Sequence, residues 1–297
     1  MKKFTKWFII IAVLMIVIGM GLFIGGVVAA GGVEATRSVL NGSDISHRTN
    51  GILEWDGDGF EINLHKHHQS AAHHTEEKSA SFDAQEVKSL ELELGEAEVE
   101  IVENASAEEI VINTNGCYDI YVKNDVLYVK AKKCLKDHTV FMEIPANTVF
   151  EQVDISVGAC DMNIESIEAK EFDVEVGAGQ VTIEDLIANN AEFEIGVGEV
   201  IVDYGNVQEC DINVGMGNFE YNGVITKYSN IECGMGNTEL QLEGSEKDYN
   251  YEIDCAAGNV TIGHESFSGL ASERTINNHA DASMEIDCSM GNVTIGF

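Results

Sequence analysis

From Val153 to the C-terminus the chain alternates apolar and polar residues with a period of two, broken at intervals by glycine. Period two marks half-buried strands, not helices. One eight-residue phrase recurs seven times: VDISVGAC ending at Cys160, FDVEVGAG at Gly179, AEFEIGVG at Gly198, CDINVGMG at Gly217, SNIECGMG at Gly236, YEIDCAAG at Gly258 and MEIDCSMG at Gly291. The steps between copies are 19, 19, 19, 19, 22 and 33 residues, so the last two carry insertions of 3 and 14, read as loops extruded from a regular coil. Aligned on the phrase, apolar columns run Ile155, Val174, Phe193, Ile212, Ile231, Ile253, Ile286 before the turn and Met162, Val181, Val200, Phe219, Thr238, Val260, Val293 after it. Between the strand halves sits a Gly-x-Gly corner such as Gly177-Ala178-Gly179, where glycine is expected to supply a positive φ.

A unit of 19 residues cannot bury its apolar face alone, so the copies must stack strand on equivalent strand, about 4.8 Å apart. The predicted fold is all-β, a parallel β-solenoid of about 19-residue coils, with regular repeats over 151–297 and irregular opening coils over 89–150. Asn218, Asn237, Asn259 and Asn292 form a column suited to an amide ladder. Ahead of the solenoid (89–297), a juxtamembrane segment over 33–88 holds a strand pair at 52–64 and a flexible insertion at 65–81.

The uncharged run 7–32 follows Lys2, Lys3 and Lys6 and is long enough to cross a bilayer. The lysine bias places residues 1–6 in the cytoplasm and the bulk outside the cell membrane, as a single-pass protein. A cleaved signal peptide ending near Val28-Ala29-Ala30 is the competing reading. Gly21 and Gly25 add a G-x-x-x-G to the run.

The pattern resembles a bacterial candidate-adhesin domain family of unknown function that includes LiaG-like envelope proteins. The resemblance rests on VGAG-x-V-x-I at Val176 to Ile183 and its copies, LELELG at Leu90 to Gly95, Leu127-Tyr128-Val129, Ile144-Pro145 and the N-terminal apolar run, and covers Ser89 to Phe297. It implies a surface-exposed β-solenoid with a role in adhesion or envelope stress, and it transfers no catalytic or ligand residue.

Charge sharpens the picture. The chain has 17 basic and 51 acidic side chains, a formal charge of −34, which excludes nucleic acid as a direct partner. From Glu143 onward the 30 acids meet only Lys170, Lys227, Lys247 and Arg274. The outward columns read Asp154, Asp173, Glu192, Asp211, Asn230, Glu252, Glu285 and Ser156, Glu175, Glu194, Asn213, Glu232, Asp254, Asp287, so one face should be lined with carboxylates. Like charges on neighbouring strands repel, and three things offset that: salt screening, raised carboxyl pKa values, or bridging by calcium or magnesium. A solvated acidic surface, divalent-cation binding and capture of a cationic peptide or polymer all fit this face. Asp56-Gly57-Asp58-Gly59-Phe60-Glu61 lacks the ligand register of a calcium loop and reads as a turn.

His65, His67, His68, His73 and His74 form a tract with adventitious or selected affinity for metal, or with a pH-sensing role. Cys233, Cys255 and Cys288 occupy an inward column as small core residues, and Cys117 with Cys134 is the candidate disulfide. No cofactor is implied, and no nucleophile elbow, phosphate loop or zinc-protease signature is present. Lyases of acidic polysaccharide need basic groups that this face lacks; a hydrolase of neutral glycan needs only two carboxylates and stays open. The expected role is binding or adhesion at the cell surface without catalysis, with envelope-stress sensing or a structural role as the alternative.

Overall fold

A computed structural model describes residues 53–55, 60–62, 78–115, 118–132, 139–268 and 272–297. The apolar run 7–32, the five tract histidines, Cys117 and Cys134 lie outside the described residues. Among the described residues no helix is long and apolar enough to cross a membrane. The chain divides into two units, Met1–His73 and His74–Phe297. In the first, β1 (Leu53–Trp55) and β2 (Phe60–Ile62) pair antiparallel, within the span read as a strand pair.

The second unit is a β-solenoid-like stack. Its strands are β3 (Lys78–Asp83), β4 (Ser89–Asn104), β5 (Glu109–Thr114), β6 (Tyr118–Lys123), β7 (Val126–Ala131), β8 (Thr139–Pro145), β9 (Val149–Val176), β10 (Gln180–Ile195), β11 (Glu199–Val214), β12 (Asn218–Cys233) and β13 (Asn237–Leu242). A 3-10 turn (Glu246–Asp248) leads to β14 (Tyr249–Cys255), β15 (Asn259–Ile262), β16 (Glu265–Ser268), β17 (Ser272–Ile276), β18 (Ala282–Cys288) and β19 (Asn292–Gly296). Strand β3 begins inside the span 65–81 read as flexible, because residues 78–83 pair antiparallel with β5.

Strands β9, β10 and β11 stack parallel, and β12 follows with register shifts after Val202 and Val207. Between β10 and β11 each residue lies against the one 19 later, as Val181 against Val200 and Phe193 against Ile212. Pairing lapses at Glu184 and Asn189 and at the glycine corner, which gives each coil three sides. Both predicted apolar columns are buried, Thr238 included. The third side adds Ile167 and Leu186, then Ala169, Ala188, Val207 and Ile225, also buried.

The corner glycines are needed for a reason other than positive φ. Among the described glycines, positive φ occurs at Gly223, Gly244 and Gly263, none of them in a Gly-x-Gly corner. What the corner requires is close approach between coils. A β-carbon on Gly177 or Gly196 would stand 2.8 Å from the carbonyl oxygen of the first glycine one coil earlier. On Gly217 it would strike the Gly198 carbonyl oxygen and come within 2.7 Å of Ile195 Cγ2. The second glycine thus sits directly on the inward side chain of the preceding coil, and only hydrogen fits there. The approach is held by backbone hydrogen bonds: Gly215 N–H donates to Ile195 O and Met216 N–H to Gly196 O, both at 2.8 Å.

The last two copies do not stack in sequence order. Strand β12 pairs with β18, and β18 with β14, so the copy ending at Gly291 lies between those ending at Gly236 and Gly258. The larger insertion is not an extruded loop. Its strands β16 and β17 pair antiparallel with β15 and β14 on the outer edge of the stack. An asparagine clasp holds the returning chain: Asn250 Nδ2 donates to Ala280 O (2.7 Å) and Ala282 O (3.1 Å), and Asn278 Nδ2 donates to Tyr249 O (2.7 Å). The other end follows the same logic, with β7 and β8 parallel to β4 and then β6 and β5 antiparallel outside them. Both ends of the parallel stack thereby finish in antiparallel strands, which cover edges that would otherwise recruit further strands.

The glycine contact predicts a position-specific loss. Gly217→Ala should cost about 1–3 kcal/mol through overpacking between coils, whereas Met216→Ala, one residue away and exposed, should leave the thermal midpoint nearly unchanged; equal melting of the two variants would refute close approach as the requirement.

Candidate functional site

The stacking turns the two outward columns into stripes. In spatial order the first runs Glu91, Asp154, Asp173, Glu192, Asp211, Asn230, Glu285, Glu252, and the second Glu93, Ser156, Glu175, Glu194, Asn213, Glu232, Asp287, Asp254. All the carboxylates expected on this face lie there, and β4 adds Glu91 and Glu93, whose alternation was legible but whose register was not. A depression of about 370 Å³ opens where Glu91, Glu93, Asp154, Asp173, Glu175 and Glu192 converge.

Neutralisation is concentrated at one end. Lys130 Nζ lies 2.7 Å from both Glu91 and Glu93 and 5.0 Å from the centre of the Tyr128 ring, which stacks on Tyr121. Three other described lysines pair elsewhere, Lys88 with Asp125, Lys132 with Asp119 and Lys170 with Glu151. Further along, the crowding shows in the protonation equilibria. Partial burial, then a hydrogen bond with Asp154 and the charges of Asp154, Glu192 and Glu171, push the Asp173 carboxyl up to about 6. Partial burial, then Asp254, Glu232, Glu285 and Glu252, raise Asp287 to about 6 as well. Burial and Glu209 raise Asp211. Tyr228 donates to Glu285 Oε2 at 3.2 Å, and burial followed by that carboxylate's charge pushes the phenol up to about 12. Raised carboxyl pKa values are thus one of the means by which this face tolerates its charge.

Among the described residues no group of three or more His, Cys, Asp or Glu side chains is arranged to hold a metal ion. Cys160, Cys210, Cys233, Cys255 and Cys288 are free thiols and buried. Cys233, Cys288 and Cys255 follow one another up the inward column, and a hydrogen bond with Cys233, then burial, push the Cys288 thiol up. Beside the face, the amide ladder forms: Asn237 Nδ2 donates to Asn218 Oδ1 at 3.0 Å and Asn292 Nδ2 to Asn237 Oδ1 at 2.9 Å. Asn259 lies in register with Asn292 but donates instead to Thr261 Oγ1.

The raised carboxyls fix the sign of a pH effect. Asp173 and Asp287 take up protons near pH 6 when folded but near their ordinary value of 3.8 when unfolded, so between those values the folded chain binds more protons and gains stability as pH falls. Discounted for solvent screening, the thermal midpoint should rise by about 2–4 °C from pH 7.5 to pH 5. Asp173→Asn should raise the midpoint at pH 7.5 and shrink that gap; a midpoint that falls on this acidification would contradict the shifts.

The chain has no match among curated proteins. It is similar in structure to a candidate adhesin from Bacteroides fragilis, with 11% identity over 74% of this chain and 96% of that one and a TM-score of 0.41. A candidate adhesin from Parabacteroides merdae gives 14% identity, 74% and 95% coverage and a TM-score of 0.41. A candidate lipid-binding protein from Parabacteroides distasonis gives 12%, 74% and 96%, and 0.41. The family model described as Toastrack DUF4097 matches residues 98–296, two thirds of the sequence and nearly all of the stack, so this chain belongs to the Toastrack DUF4097 family.

Proposed function

We propose that this protein is a binding module of the cell surface, anchored through residues 7–32 with its bulk outside the membrane, and that it acts by holding a cationic partner on the carboxylate face without catalysis. One observation carries this reading. Two carboxylate-rich stripes run side by side through eight coils, and the neutralising lysine, Lys130, sits at one end. Aligned charges sum into a field that draws in a basic peptide or polymer. Calcium and magnesium enter this reading as diffuse counter-ions.

The test is electrostatic. Oligolysine should bind the full chain and lose at least about tenfold in affinity between about 50 and 300 mM sodium chloride, as screening shortens the reach of the face. Combining Asp173→Asn, Glu175→Gln, Glu192→Gln and Glu194→Gln should weaken binding at low salt while the fold is retained. Absence of salt-sensitive binding, or its persistence in that variant, would defeat the proposal.

A further inference from the structure

Each corner turns its middle side chain outward, whether it is Gly-x-Gly, as around Ala178, Val197, Met216 and Met235, or a variant, as in Gly158-Ala159-Cys160, Ser289-Met290-Gly291 and Ala256-Ala257-Gly258. In spatial order the middle residues are Ala159, Ala178, Val197, Met216, Met235, Met290 and Ala257. Successive members are tied backbone to backbone: Val197 N–H donates to Gly177 O (2.8 Å), Met216 to Gly196 O (2.8 Å), Met235 to Gly215 O (2.7 Å) and Met290 to Gly234 O (2.8 Å). The large members are 59%, 57%, 51% and 59% exposed for Val197, Met216, Met235 and Met290. A solvated corner would suit serine, asparagine or lysine, and single exposed apolar residues need no explanation. Four in adjacent coils make a contiguous ridge, and contiguous apolar ridges mark interaction surfaces.

The flanks say what kind of partner fits. Three residues before the ridge positions runs the second stripe, with carboxylates at Glu175, Glu194, Glu232, Asp287 and Asp254 and the neutral Asn213 before Met216. Two residues after lies the amide column of Asn218, Asn237 and Asn292. A second copy of this chain would bring like charge against like, and an anionic bilayer surface would be repelled. What complements apolar side chains beside carboxylates is a segment that is apolar on one side and basic on the other. Methionine suits this task, because its unbranched, polarizable side chain adapts to varied apolar shapes. From Val197 to Met290 the ridge spans three coil steps, about 14 Å at ~4.8 Å each; with the flanking Ala178 and Ala257 the corner edge runs about 24 Å, the length of a helix of about 16 residues.

We propose that the corner ridge of Val197, Met216, Met235 and Met290, with its neighbouring carboxylate stripe, docks the apolar face of a basic amphipathic helix. This rests on the reading of the acidic face as a cation-binding surface and adds that the ligand is amphipathic rather than merely charged.

The test uses the full chain held on a sensor through its N-terminus and three probes of about 16 residues: a lysine–leucine peptide patterned as an amphipathic helix, a scrambled peptide of the same composition without an apolar face, and oligolysine. The patterned peptide should bind at least about tenfold more tightly than the scrambled one. Joint substitution Met216→Gln, Met235→Gln and Met290→Gln should abolish that advantage and leave oligolysine binding intact; Met216→Leu, Met235→Leu and Met290→Leu should keep it. Unchanged melting of both variants guards against misfolding, and if the glutamine variant melts early, the leucine variant and the patterned-to-scrambled ratio still decide. The ridge proposal is overturned if the ratio is near one, if the glutamine variant keeps it, or if phosphatidylcholine vesicles bind through the same methionines in preference to the peptide. Loss of oligolysine binding in the unsubstituted chain would instead overturn the charge reading beneath it.

Discussion

The contact on which this structure depends is the approach of one glycine corner to the next. A parallel stack of identical coils works only if every coil presents the same height at every position, and the corners are where side chains would most readily prop the coils apart. With hydrogen in place of a β-carbon at Gly198, Gly217 and Gly236, the backbone of each corner rests on the inward side chain of the coil before it. That closeness lets the corner amides donate to carbonyls one coil earlier, and it holds the three ladders of each coil in a common register. The Val, Ile and Cys residues beneath the corners fill the remaining space, so backbone approach and core packing are one event.

The same register produces both surface features. Once coils repeat at a fixed spacing, any residue type repeated in sequence becomes a stripe in space, whatever its chemistry. Carboxylates in one column become a continuous field whose self-repulsion is partly relieved by proton uptake at Asp173 and Asp287 and by Lys130 at one end. Methionines in another become an apolar ridge along the corner edge. Amides in a third satisfy one another, as Asn218, Asn237 and Asn292 do. Charge that would be costly if buried is tolerated because it faces solvent, while the alternate residues of the same strands form the core.

A parallel stack has two open ends, and the irregular parts of the chain are spent on them. Neither end shows the simple order of a coil following a coil. At one, the chain leaves β4, builds the outer strands β5 to β8, and returns to continue inward as β9. At the other, it skips a position, builds the outer coil and its antiparallel strands, and returns to fill the slot with β18 and β19. Antiparallel strands are suited to this because short turns join them, whereas another parallel strand would demand another full coil.

The sequence by itself determined the strand period, the inward columns, the parallel stacking of the 19-residue phrase, the amide column and the acidic stripes, since each follows from side-chain identity repeated at a fixed interval. The residue in the middle of each Gly-x-Gly corner lies outside the strands, where a period of two carries no information, although its change from Ala to Val to Met stands in the sequence. Only the tertiary structure decided what the glycines are for, because a clash with a neighbouring coil cannot be seen in one coil's sequence. It alone decided the inverted order of the last two copies and the antiparallel strands that close the stack. In-register coils with the same inward residues offer nearly equal pairing energy, so Cys233 fits against Cys288 as well as against Cys255, and the choice falls to linker length and to the asparagine clasp around Asn250 and Asn278.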